Sequence, residues 1–130
     1  MENKKRILQI DHTTLHSLIL HRIISDEGYS CNLANGREEA LSLIKKNEYD
    51  LIILDVSIMD IEGLTLLKSL KNDARFAHIP VIALSVKGEA DKMNVALSQG
   101  AEECLMKPFN IQELLNIIIQ TFNHKTTKKG

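Results

Sequence analysis

The chain predicts an α/β fold in which a parallel sheet carries helices on both faces. Three observations lead there. First, short apolar runs at 7–10, 30–34, 51–54, 81–84 and 104–106 alternate strictly with five segments of helical character. That alternation implies parallel strands joined by right-handed crossovers. Second, Leu51-Ile52-Ile53-Leu54 shows no period-2 alternation, as expected of a strand buried on both faces. Third, polar residues close four of the runs: Asp11, Asp55, Ser85 and Lys107. A carboxylate ending a buried strand must sit at the rim, because pointing it into the core carries a large desolvation penalty. In open parallel sheets that rim is where ligands bind.

Taken in order, Ile7, Leu8 and Ile10 form a short strand with Gln9 its one polar interruption. Thr13 or Thr14 can cap the first helix, whose stripe is Leu15, Leu18, Ile19 and Ile23, with Gly28 as its C-terminal stop. After the second strand, Ser30 to Ala34, the Asn35…Glu38 spacing predicts a capping box, with Ala40, Leu41 and Ile44 on the buried side. The third strand closes on Asp55, a loop runs from Val56 to Glu62, and Gly63 precedes a helix burying Leu64, Leu67 and Leu70. Pro80 opens the fourth strand, a position proline tolerates because its missing N–H need not join the ladder. A helix over 89–99, apolar at Met93, Ala96 and Leu97, ends at Gly100. The short fifth strand closes at Lys107-Pro108. Asn110 with Glu113 repeats the capping spacing before a helix lined by Ile111, Leu114, Leu115 and Ile118.

At 130 residues the chain is one domain of common size. Sixteen Lys and Arg against seventeen Asp and Glu give a net charge of -1, so no global field favours nucleic acid or an anionic membrane. The basic run from Lys125 to Lys129 reads as a solvated tail. Two cysteines, Cys31 and Cys104, without CxxC spacing fit a reducing compartment. No apolar run reaches the ~20 residues of a membrane span. The charged start, with no signal-peptide core, makes the cytoplasm the default location.

The motifs now resemble those of a two-component response-regulator receiver domain, the CheY-like family, from about Arg6 to about Phe122. The matching residues are Ile10-Asp11, Ala34-Asn35-Gly36 with Glu39-Ala40-Leu41, and Asp50-Leu51-Ile52-Ile53-Leu54-Asp55. Then come Gly63, Ile79-Pro80-Val81-Ile82, Ser85, Gly100-Ala101 and Lys107-Pro108-Phe109. Each is weak alone; their order and spacing together are specific. The resemblance implies a three-layer, doubly wound, flavodoxin-like sandwich with strand order 2-1-3-4-5. It assigns 1–123 to the receiver domain and 124–130 to a polar basic tail.

It also implies a chemistry. Asp55 would accept a phosphoryl group from a phosphohistidine on a sensor kinase or phosphotransfer protein. A carboxylate is a competent nucleophile at neutral pH, but it must meet another anion. A divalent cation and the Lys107 ammonium would offset that repulsion, and the Ser85 hydroxyl would bond a phosphoryl oxygen. Similar proteins have a cis bond before the proline, here Lys107–Pro108. The metal, Mg²⁺, would be held by Asp11, Asp55 and the backbone carbonyl of Ser57. The change in partner preference is expected at the surface of the fourth helix, fifth strand and fifth helix. Direct nucleic-acid binding, membrane insertion and enzymatic turnover beyond slow self-dephosphorylation are not expected.

Four positions depart from the family pattern. His12 replaces a second acid; imidazole is a poor Mg²⁺ ligand, so weaker Mg²⁺ binding is expected, with Mn²⁺ as an alternative. His12 and His16 have a spacing also used for transition metals, with solvated histidines the plainer reading. His21 and His78 read as surface residues. Met59 stands where proline is common, and Ser85 where threonine is commoner. Cys104 stands where many receivers carry a switching aromatic ring, and reads as a small buried hydrophobe.

Three other readings compete. A pseudo-receiver would bind protein without phosphorylation; His12 and Cys104 favour it, whereas Asp55, Ser85 and Lys107 together oppose it. A haloacid-dehalogenase-type phosphatase needs a second aspartate two residues after the nucleophile, where Ser57 stands. A flavodoxin-like cofactor protein needs a phosphate loop that Asp11-His12-Thr13-Thr14 does not supply.

Overall fold

The pleat of each strand sorts its apolar side chains onto two faces, and helices cover both. The computed structural model describes residues 4–56, 61–86, 88 and 90–128. The elements are β1 (Arg6–Ile10), α1 (Leu15–Asp26), β2 (Ser30–Ala34), α2 (Arg37–Lys46), β3 (Leu51–Asp55), α3 (Ile61–Lys71), β4 (Val81–Val86), α4 (Ala90–Ser98), β5 (Glu103–Lys107) and α5 (Ile111–Lys128). All neighbouring strands pair in parallel, in the order β2-β1-β3-β4-β5. The doubly wound sheet and its strand order are therefore as the resemblance implied.

Within β3, Ile52 and Leu54 pack with Leu8, Ile44, Leu67, Leu70 and Ala96 towards α2, α3 and α4. Leu51 and Ile53 pack with Ile7, Leu20, Ile24, Leu114 and Ile118 towards α1 and α5. Both faces of the central strand are thus covered, which is why its four aliphatics run without interruption. Among the described residues no helix is long and apolar enough to cross a membrane.

Several local expectations need correction. In α1 the buried residues are Ser17, Leu20 and Ile24, whereas Leu15, Leu18 and Ile19 of the expected stripe are exposed, Leu15 by 75%. The helix carries apolar residues on more than one side, so periodicity alone could not choose its inward face. Polar bonds help fix it: the Gln9 amide donates to the Ser17 carbonyl at 3.1 Å, and His21 Nε2 meets the Cys31 carbonyl at 2.8 Å. His21 is consequently half-buried against β2, not a free surface residue.

The expected Asn35…Glu38 box does not form. Helix α2 begins at Arg37 behind Gly36, whose φ of 98° suits glycine, and no side chain caps it. Asn35 has other work, described below. In α1 the cap is Thr14, in a reciprocal box with Ser17. In α5 the Asn110 side chain accepts from Gln112 N at 2.7 Å. Helix α4 buries Ala96, but Leu97 is exposed. Helix α5 continues to Lys128, into the segment expected as a tail.

Candidate functional site

Strand parity brings three distant residues together. Ile7, Leu51, Ile53 and Leu105 all pack on the α1–α5 side of the sheet. Side chains two residues apart share a face, so stepping along each strand places Asp11, Asp55 and Lys107 on that same side at the C-terminal edge. The ladder continues to Asp11, whose N–H donates to Ala34 O at 3.0 Å. The Lys107 ammonium pairs directly with Asp55 Oδ2 and lies 3.7 Å from Asp11 Oδ2. The Lys107–Pro108 peptide is cis.

Two buried carboxyl groups set the electrostatics of the pocket. Asp55 is 1% exposed and Asp11 6%. Burial, and then the Asp55 charge, push the Asp11 carboxyl above its ordinary range; Lys107, the His12 backbone N–H and the His12 charge pull the other way. Among the described residues, the Asp11 and Asp55 carboxyl groups both face the Lys107 ammonium. This donor set suits a hard divalent ion, since Mg²⁺ is held by one or two carboxylates and completes its shell with water. The expected third donor, the Ser57 carbonyl, lies outside the described residues, as does Met59. Among the described residues no group of three or more His, Cys, Asp or Glu side chains could hold a metal ion. His12 and His16 are exposed. His12 precedes the Thr14 cap, so the two do not share a helical face.

Ser85 ends up elsewhere on the edge. It follows Ala83 on the opposite pleat of β4, is fully buried, and its hydroxyl has no hydrogen-bond partner among the described residues. A buried unpaired hydroxyl is unfavourable and calls for an explanation. An acceptor arriving at the strand ends would provide one. Cys104 is half-buried against the α4 side, and its thiol donates to Met93 O at 3.5 Å. Burial pushes that thiol up to about 11.

Sequence reasoning missed the residues that hold the loop after β1. Asn35 Oδ1 accepts from Thr13 N at 3.0 Å, and Glu39 Oε1 accepts from Asn35 N at 2.7 Å, tying this loop to the one after β2. Ser17 Oγ donates to His12 O at 2.6 Å. Only Gln9 left a trace, as a lone amide in an apolar strand. Beside the acids, a cavity of about 200 Å³ lined by Ile19, Leu20, Ile23, Phe109 and Ile111 opens between α1 and the start of α5.

Comparison with known proteins agrees with this fold. The response regulator MprA of Mycobacterium leprae is 32% identical over 110 residues, covering 85% of this chain and 47% of that protein. The chain spans about half the length of the curated relatives it matches. A CheY-like receiver domain from Methanospirillum hungatei has a TM-score of 0.87 at 26% identity, covering 98% of this chain and 100% of that one. A two-component response regulator from Clostridium difficile has a TM-score of 0.83 at 28% identity, covering 92% and 97%. The response regulator receiver domain family matches residues 7–119, and the chain therefore belongs to that family of two-component signalling domains.

Proposed function

We propose that the domain is a stoichiometric phosphoacceptor and that Asp55 is its acceptor residue. The carrying observation is the Lys107 ammonium drawn onto the buried Asp55 carboxylate from 52 residues away, with Asp11 beside it. In the transfer, an Asp55 oxygen bonds to phosphorus as the P–N bond of a donor phosphohistidine breaks, and the imidazole leaves with the electron pair. Lys107 holds the acceptor oxygen and offsets charge on the incoming group. Ser85, without a partner among the described residues, donates to a phosphoryl oxygen. A divalent ion held by Asp11, Asp55 and the Ser57 carbonyl would supply further charge neutralisation, Mg²⁺ first and Mn²⁺ as the alternative.

The donor is a sensor histidine kinase or phosphotransfer protein. The exposed Leu15 and Ile19 of α1 flank the rim and suit a protein donor. The downstream partner meets the α4–β5–α5 surface, where Val95, Leu97 and Ile119 are exposed. The domain's work is assigned to the cytoplasm, in keeping with its two free cysteines. Turnover is limited to slow loss of the acyl phosphate.

The test is intact-mass measurement after treatment with a small acyl phosphate across Mg²⁺ and Mn²⁺ titrations. One phosphoryl group is expected on the wild type and none on Asp55→Asn. No gain at any metal concentration overturns the proposal and leaves a phosphorylation-independent binding module.

A further inference from the structure

We propose that Gln9 and Ser17 are positioning residues that hold Asp11 in its cation-binding orientation, an inference that rests on the metal site proposed above. Both side chains are polar in the interior, 1% and 2% exposed. Burying an amide or hydroxyl is unfavourable unless it is hydrogen-bonded, so their bonds identify what they serve. The Gln9 amide N–H donates to Ser17 O at 3.1 Å, and Gln9 Oε1 accepts from the Cys31 thiol at 3.7 Å. This fixes the first turn of α1 against β1. The Ser17 hydroxyl has one proton, and its shorter bond, 2.6 Å, is to His12 O. It also accepts from Thr14 N at 2.9 Å.

The His12 residue is thereby held at both ends. Its carbonyl is bonded to Ser17, and its N–H donates to Asp11 Oδ1 at 2.7 Å. With Oδ1 committed, Asp11 turns Oδ2 towards Lys107 and Asp55. The relay from sheet interior to acid thus runs Gln9, Ser17, His12 backbone, Asp11. Helix capping accounts for the Thr14–Ser17 bonds. It accounts neither for the Ser17 proton given to His12 nor for an amide buried in β1. With His12 in place of a second acid, Asp11 is the lone carboxylate on this loop, and its aim carries the loop's whole contribution.

Mn²⁺ affinity, read by electron paramagnetic resonance on the purified protein, tests the relay. Outer residues that orient a ligand typically alter metal affinity ten- to a hundredfold. Ser17→Ala and Gln9→Met should each weaken Mn²⁺ binding about tenfold, while Ser17→Thr, which keeps the hydroxyl, should bind within about twofold of wild type. Ile24→Ala loosens α1 a turn and more beyond the relay, at a fully buried position that bonds to none of its members, so it should cost stability and leave affinity unchanged. Amide exchange at His12 and Thr13 should quicken in Ser17→Ala and Gln9→Met. Wild-type affinity in both of those variants, or equal weakening by Ile24→Ala, overturns the inference alone. No Mn²⁺ binding by the wild type overturns the metal site and the inference with it.

Discussion

Removing the Ser85 hydroxyl should have opposite effects on the resting and phosphorylated protein. At rest the hydroxyl is buried without a partner among the described residues. Such a group costs about 1–3 kcal/mol in lost hydration. Ser85→Ala removes that penalty and leaves a gap of one oxygen atom, so the resting protein should gain about 1 kcal/mol. For a domain of this size that raises the melting temperature by roughly 4 °C. Once Asp55 carries a phosphoryl group, the wild-type hydroxyl donates to an ionised oxygen, a bond of about 1.5–3 kcal/mol. Losing it should reduce the stabilisation gained on phosphorylation by about 2 kcal/mol, roughly thirtyfold in the ratio of the two states. Urea unfolding with and without the phosphodonor reads both numbers, provided the m-value is unchanged. A resting Ser85→Ala protein less stable than wild type by more than about 1 kcal/mol would show that the hydroxyl is already bonded. An unaltered phosphorylation increment would show that it never meets the phosphoryl group.

Three further outcomes are expected. In chelator, Asp11 should make the wild type less stable as pH rises from the ordinary 3.8 through its raised value, because the folded state holds that proton more tightly than the unfolded state. Asp11→Asn should remove this slope and be the more stable at pH 7, with no advantage below both values; urea midpoints across pH decide. Gly63→Ala should destabilise by about 1–3 kcal/mol, since an added Cβ would lie 2.7 Å from Val56 Cα and O; a neutral result in a denaturant titration would contradict that close approach. Ile24→Ala, at a fully buried position, should lose about 2–5 kcal/mol, whereas Ile19→Ala, 47% exposed, should change stability by under about 1 kcal/mol. The reverse ranking would restore the stripe expected from periodicity.

Burial explains which features could be read in the chain and which could not. The central strand was legible because both of its faces are covered, so every position had to be apolar. The rim residues were legible because a charge at the end of such a strand has one affordable place to go. Helix α1 was misread because Leu15, Leu18, Ile19, Leu20, Ile23 and Ile24 offer two plausible stripes, and polar bonds from Gln9 and His21 help select between them. Asn35 was read as a local cap because its spacing to Glu38 fits one. It serves instead a loop 22 residues away, and no local pattern encodes that distance.

The amino-acid order alone determined the alternation of strands and helices, the family, and the identity of the groups at the sheet edge, because period and polarity are local properties of a chain. Tertiary structure decided the inward face of α1, the pairing of Lys107 with Asp55, the burial of Ser85, and the Gln9–Ser17 bond beneath Asp11. Each of these depends on which distant backbone lies alongside, and that is settled only when strands pair and the interior excludes water.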